Sequence, residues 1–270
     1  MCYRQAINRK LLFFLVTGLT IKISIVKGER MNKIVNVLWT GGWDSTFRVI
    51  QLLYQGDDVK PHYIRDPGRA STPFEISAMH RISDLLQNHP MLKGTLLPIS
   101  IAEFSDFEKY IEIEEAYIDL LKEHYIGEQY KWIAEYCRYA NVESIDISIV
   151  LVKNDHFFQE NYSREDYPFS VIFRNLDFPL IDLSKSNIRE WCADNGFLSV
   201  IEESWFCHSP TRSGKPCGVC SPCIVAMEEG MGYRLPTGAK IRFHFRILPR
   251  LKGFLKNYPR FYTYLYKLKI

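Results

Sequence analysis

From residue 33 onward, short apolar runs alternate with longer stretches in which apolar residues recur every three or four positions. The short runs, rich in β-branched residues, read as buried strands, and the 3.6-residue period reads as helices packed along one face. This pattern predicts strands over 34–39, 59–64, 94–99 and 145–152, with shorter ones at 171–173 and 178–181. Helices are expected over 45–54, 73–88, 116–139 and 185–195, the last capped by Asp182 or Ser184 and closed by Gly196. Alternation of this kind is the signature of an α/β fold built on a mostly parallel sheet. It stops at residues 204–223, which are rich in Pro, Gly and Cys, and a basic, aromatic stretch follows from 234 to 270. The expected organisation is a leader over 1–30, a nucleotide-binding domain over 31–203, a cysteine segment over 204–233 and a tail over 234–270.

Composition adds one constraint. With 47% hydrophobic and 24% charged residues among 270, the chain can build a core, which excludes disordered, collagenous and disulfide-dense classes. The net charge of +3 conceals a division: residues 1–30 carry +5, residues 230–270 carry +10, and the body between them carries −12. Residues 11–26 are apolar behind Arg9-Lys10, yet Lys22 interrupts them and they fall short of the ~20 residues that span a bilayer. A first buried strand begins just after Met31, so Met31 is the expected start of the folded protein and the cytoplasm its expected location, with a short membrane anchor as the other reading.

The segment joining the first strand to the first helix carries the chemistry. It reads Trp39-Thr40-Gly41-Gly42-Trp43-Asp44-Ser45-Thr46, preceded by Leu38. Paired glycines let a backbone fold tightly around an anion, and the free N–H groups of a helix start, aided by the helix dipole, point at it. The Ser45 and Thr46 hydroxyls can bond phosphate oxygens, and Asp44 can cap the loop or hold Mg²⁺ through water. No Gly-Lys-Ser/Thr follows the glycines, so this is not the Walker form. A plain capped turn is the competing reading. Lys185 opens a later helix, a poor place for a cation unless an anion is bound there.

Four cysteines, Cys207, Cys217, Cys220 and Cys223, follow the pattern C-x9-C-x2-C-x2-C. Four thiolates at short spacing satisfy tetrahedral Zn²⁺ in a closed, structural site. Arg212 and Lys215 offset the charge of such a centre. Disulfides and an iron–sulfur cluster are the competing uses of the same residues. Cys137 and Cys192 sit in helical patterns and read as buried, inert thiols.

The loop resembles the Ser-Gly-Gly-x-Asp-Ser loop of the PP-loop ATP pyrophosphatases, with Thr40 in place of the first serine. Together with the Cys…Cys-Gly-x-Cys-x-x-Cys segment, it resembles the 7-cyano-7-deazaguanine synthase family over roughly residues 33–225. The resemblance implies a parallel-sheet PP-loop domain with a small zinc-bound segment, and an AMP-forming, ATP-dependent C–N ligase. Its substrates are a small-molecule carboxylate and ammonia or an amine, its cofactors ATP, Mg²⁺ and Zn²⁺. It implies that Asp44, Ser45 and Lys185 act in catalysis and that Leu38 to Thr46, Tyr63 and Ile64 hold the nucleotide, with Tyr63-Ile64 beside the adenine. A glutamate in the following helix is usual in the family, which makes Glu75, with Arg69, a substrate candidate.

Two places depart from the family. After the last cysteine this chain has Ile224-Val225-Ala226-Met227-Glu228 where the family places an arginine. The family's Pro-Ala-Arg-Asn segment has no counterpart, and Tyr125 to Trp132 stands in its place, making Gln129 and Tyr130 candidates for a different acceptor pocket. The ATP chemistry therefore carries over more firmly than the acceptor, and a protein or sugar carboxylate, or a non-catalytic nucleotide-binding scaffold, remains an alternative. The basic tail suits an anionic partner, a membrane surface, or the acidic body itself. A homo-oligomer is left open.

Overall fold

A computed structural model describes residues 33–66, 68–150 and 161–245 of the chain. The leader, the end of the tail from 246, and the last two residues of the strand expected over 145–152 lie outside the described residues. Five parallel strands form one sheet in the order β3-β2-β1-β4-β5. They are β1 (Ile34–Leu38), β2 (Asp58–Arg65), β3 (Ser100–Glu103), β4 (Ile145–Asp146) and β5 (Leu176–Asp177). The first three strands step outward in one direction and the chain then returns to the other side of β1. Such a reversal leaves a crevice beyond the carboxyl ends of β1 and β4, where ligands of open α/β sheets bind.

Helices cover both faces. One core joins Val37, Trp39, Val59 and Tyr63 to α1 (Trp43–Gln55), α2 (Thr72–Gln87), α6 (Lys185–Asp194), α7 (Leu198–Glu202) and α8 (Ser221–Glu228). The other joins Ile145, Ile147 and Leu176 to α3 (Ile111–Glu123), α4 (Gln129–Tyr139) and α5 (Phe169–Phe173). Neighbouring strand residues alternate between the two, as a strand's period of two requires: Val37 and Tyr63 face the first, Leu38 and Ile64 the second. A last helix, α9 (Thr237–His244), continues the chain after the cysteine segment. No described helix is long and apolar enough to cross a membrane.

The expected elements shift in five places. The strand expected over 145–152 ends at Asp146, beyond which the chain bends and the Ile149 N–H bonds the Ile147 carbonyl. The strand predicted over 94–99 makes only a single bridge, Leu96 to Val59, and the ladder resumes at Ser100. Pro98 has no N–H to donate, so pairing restarts beyond it. Residues 171–173 belong to a helix rather than a strand, and 178–181 are replaced as a strand by Leu176–Asp177. The helix expected over 116–139 is two helices, separated by a break that contains Gly127. At α6 the Ser184 hydroxyl accepts the Asn187 N–H and the Asn187 side chain accepts the Ser184 N–H, a reciprocal cap.

A polar chain crosses the sheet behind the crevice. His62 on β2 bonds Tyr136 through Nδ1 at 2.6 Å and Asn36 Oδ1 through Nε2 at 2.9 Å. Asn36 Nδ2 donates to the Ser144 carbonyl, so its oxygen faces His62 and the imidazole carries its proton on Nε2. Burial, with a smaller push from Lys60, holds His62 down at about 4 from an ordinary 6.5. The unfolded chain therefore binds one proton more than the folded chain between these values. The His62 contribution to stability is complete above pH 6.5 and falls by about 3 kcal/mol as the pH drops toward 4. Thermal unfolding from pH 7.5 to 4.5 should show this loss, and a His62→Gln variant should show a shallower pH slope. Equal slopes would contradict the assignment of a buried neutral histidine.

Candidate active site

The loop between β1 and α1 takes its shape from one residue. Gly41 has φ +65°, and a Cβ there would lie 2.8 Å from the Glu75 carbonyl of α2, so no other residue fits the turn. The chain then enters α1 through Gly42 in an extended conformation, and the Thr46 N–H closes the first turn on the Gly42 carbonyl at 3.0 Å. The Thr40 N–H donates to Ser45 Oγ at 3.3 Å, and the two hydroxyls lie 3.3 Å apart. Trp43, Asp44 and Ser45 form the first turn of α1, where the helix leaves its N–H groups without intrahelical partners.

Loop and turn open into a cavity of about 560 Å³, within the range of small-ligand sites. Its floor is the carboxyl ends of β1, β2 and β4, through Leu38, Ile64 and residues 147–150. One wall holds Phe104, Gln129, Trp132 and Ile133; the opposite wall holds Trp205, Phe206, Val225 and Met231. Its charged side chains are Asp44, Asp66, Arg69, Glu75, Lys185 and Glu229, with Thr40, Ser45, Gln129, His208 and Ser221 as further polar groups. Ser148, on the floor, has a buried hydroxyl with no hydrogen-bond partner among the described residues.

Two first turns meet here, those of α1 and α6. Lys185 Nζ donates to both oxygens of Asp44, at 2.9 and 2.8 Å, across 141 residues of sequence. The pair explains how a lysine sits at a helix start: the opposing carboxylate offsets its conflict with the dipole. Arg69 is held along one edge, its Nε donating to Ser71 Oγ at 2.8 Å and Nη2 lying 3.0 Å from Glu75 Oε1. Glu75 is buried, and it also accepts from the Ser71 and Tyr63 hydroxyls, each at 2.8 Å. Burial, and then the charge of Glu75, push the Tyr63 phenol up, so it stays a donor. A guanidinium fixed in this way keeps its other edge for an anionic ligand.

Most candidates from the sequence reach the cavity, and several do not. Thr46 is fully buried and its Oγ1 accepts the Trp39 indole N–H at 3.0 Å, so its hydroxyl is turned into the core. Trp39 is fully buried with it. Gly41 shapes the loop without lining the cavity, and Tyr63 serves Glu75, leaving Ile64 at the surface of the site. Gln129 and Trp132 line the wall, whereas Tyr130 packs on Phe173 and Phe178. Trp205, Phe206 and Ser148 were not among the sequence candidates. The first two were legible as an aromatic pair beside Cys207.

The four cysteines converge. Their sulfurs lie within 4.8 Å of one another, and the Cys217–Cys223 and Cys207–Cys220 pairs are each at 3.9 Å. A tetrahedron with metal–sulfur bonds of about 2.3 Å has edges of about 3.8 Å, so the set fits one ion. None of the four is in a disulfide here, and the sulfur separations are those of ligands sharing one ion rather than of bonded pairs. Backbone N–H groups reach the sulfurs, from Cys217 to Cys207 at 3.1 Å and from Cys220 to Cys217 at 3.3 Å, as expected around thiolates. Burial pushes Cys137 and Cys192 up to about 12, keeping both protonated. Arg234 and Arg242, counted with the basic tail in sequence, bond this region: Arg242 Nε donates to the Cys217 carbonyl at 2.7 Å, and Arg234 Nη2 to the Ser204 carbonyl at 2.6 Å.

Comparison with known proteins agrees with the resemblance seen in the motifs. Residues 161–231 match the family described as queuosine biosynthesis protein QueC. No curated protein matches the sequence. Two solved structures are similar at 14% identity. One, a predicted subunit of tRNA methyltransferase from Methanocaldococcus jannaschii, aligns over 60% of this chain and 74% of its own with a TM-score of 0.34. The other, a 4-thiouridine synthetase in complex with RNA and bound ATP, aligns over 78% of this chain and 53% of its own with a TM-score of 0.36. The chain is thus a parallel α/β protein similar to QueC through residues 161–231, the stretch that brings Lys185 and the four cysteines to the site.

Proposed function

We propose that this protein splits ATP between its α- and β-phosphates to adenylate a carboxylate, and passes the acyl group to ammonia or an amine. The observation that carries this reading is the meeting of the loop amides, the Asp44–Lys185 pair and Arg69 in one cavity at the sheet's crevice. The carboxylate oxygen attacks the α-phosphorus, the bond to the bridging oxygen breaks, and pyrophosphate leaves with the electron pair. The nitrogen then attacks the carbonyl carbon, the carbon–oxygen bond to AMP breaks, and the nitrogen gives up a proton. The chain's work is to hold both reactants together and to neutralise charge. The α1 amides and Ser45 receive phosphate oxygens, Lys185 moves from Asp44 to the leaving pyrophosphate, and Arg69 takes an oxyanion on its free edge. Asp44 would hold Mg²⁺ there, and the ion would supply further charge neutralisation.

The acceptor is a separate matter. Both stretches that depart from the deazaguanine enzymes line the cavity, through Val225 and Ala226 in one and Gln129 and Trp132 in the other. A pocket built to bond a purine-like base discriminates through its paired polar groups, and apolar walls here redirect it. This favours an acceptor other than 7-carboxy-7-deazaguanine for the same ATP chemistry. Cys207, Cys217, Cys220 and Cys223 would hold Zn²⁺ in a closed site that would organise the C-terminal part of the fold.

Three outcomes test this reading. Asp44→Ala should abolish pyrophosphate release from ATP while leaving the circular dichroism and melting temperature near wild type; normal turnover would refute the loop's role. Metal analysis of the purified chain should return close to one zinc per molecule, and iron with visible absorbance would exclude zinc. Incubation with 7-carboxy-7-deazaguanine, ammonia and ATP should give little or no nitrile, whereas conversion at about 1 s⁻¹ or faster would assign the deazaguanine acceptor after all.

A further inference from the structure

The cysteine segment touches the phosphate loop through a short strap, residues 202–207, and the contacts are specific. The Trp205 N–H donates to the Gly41 carbonyl at 2.8 Å. A Cβ on Gly42 would lie 3.6 Å from the Trp205 carbonyl, so strap and loop run in van der Waals contact over both glycines. The Trp205 ring is fixed in turn. It stacks on Phe74 of α2, with centroids 4.7 Å apart and planes at 20°, and its Nε1 donates to the Cys207 carbonyl at 2.8 Å. Cys207 is itself one of the four thiols and accepts the Cys217 N–H.

A second tie braces the same strap from behind. The Arg234 side chain is buried, its Nη2 donating to the carbonyls of Glu202 and Ser204 at 3.0 and 2.6 Å. Its guanidinium lies 5.1 Å from the Trp43 ring and 5.0 Å from the Phe206 ring, bridging the first residue of α1 to the residue beside Cys207. The phosphate loop is therefore held on one side by α2, through Gly41 against Glu75, and on the other by a strap anchored in the four-thiol site. With no ion to share, the four thiols would lose the bonds that fix Cys207 relative to the other three.

We propose that Trp205 is a positioning residue that couples the four-cysteine site to the phosphate loop, so that zinc loading sets the protein's affinity for ATP. The ATP part of this inference rests on the function proposed above; the mechanical coupling between the two sites does not. Coupling of this kind is reciprocal: if zinc tightens ATP tenfold, saturating ATP tightens zinc tenfold.

The test uses the full chain, with zinc bound or removed by a chelator. Amide hydrogen exchange over residues 40–46 should speed up at least tenfold on chelation in the wild type. In Trp205→Ala the same amides should exchange fast already and show no further change on chelation, even where that variant retains one zinc. Trp205→Phe, which keeps a ring on Phe74, should restore most of the protection. Calorimetric titration with ATP should give a dissociation constant at least tenfold weaker for the chelated wild type and for zinc-loaded Trp205→Ala. Loop exchange indifferent to chelation in the wild type would overturn the coupling whatever the variants do. An absence of ATP binding by the zinc-loaded wild type would overturn the proposed function instead, and the exchange measurement would still decide the coupling.

Discussion

The left-handed turn at Gly41 is the constraint on which the site depends. Its φ of +65° and the Glu75 carbonyl 2.8 Å from where a Cβ would stand leave room for glycine alone. That turn allows β1 to end at Leu38 and α1 to begin at Trp43, with the intervening amides folded over the crevice. The same close approach brings the first turn of α2 against the loop, and with it Glu75, Ser71 and Arg69. Its carbonyl, turned outward, accepts the Trp205 N–H and draws in the cysteine segment. One backbone conformation thus orders three otherwise separate stretches of sequence around a single cavity.

The described lining of the cavity carries the carboxylates Asp44, Asp66, Glu75 and Glu229 against the cations Arg69 and Lys185. Asp44 at the start of α1 pairs with Lys185 at the start of α6, and Arg69 pairs with a buried Glu75 from the same β2–α2 connection. Partly buried ion pairs of this sort add little net stability, because desolvation offsets much of their attraction. Their presence at the carboxyl ends of the strands is better explained by a ligand that carries charge. The walls differ in kind: Phe104, Trp132 and Ile133 are apolar and face the strand ends, while Trp205 and Phe206 belong to the strap beside the thiols.

The β1–loop–α1 unit was legible in the sequence because an apolar run, two glycines and an amphipathic helix leave one sensible reading. The cysteine cluster was equally legible, since spacing alone brings the thiols within reach of one ion. Other features depended on tertiary context. Thr46 looks like a phosphate ligand next to Ser45, yet it falls on the apolar stripe of α1 with Trp43, Val49, Ile50 and Leu53, and its hydroxyl turns to Trp39. The edge of the sheet was misread because β5 has only two residues and draws its register from β4 rather than from its own pattern. Arg234 looked like one charge in a basic tail; only the fold shows it buried beneath Trp43 and Phe206.

The most direct test of this account is a crystal structure of the zinc-loaded chain with Mg²⁺ and an ATP analogue bearing a methylene bridge between the α- and β-phosphorus atoms. The account predicts the triphosphate on the amides of Gly41 to Ser45, Lys185 withdrawn from Asp44 onto phosphate oxygens, and the base toward Ile64. Nucleotide density elsewhere, or an Asp44–Lys185 pair unbroken with the analogue bound, would contradict it.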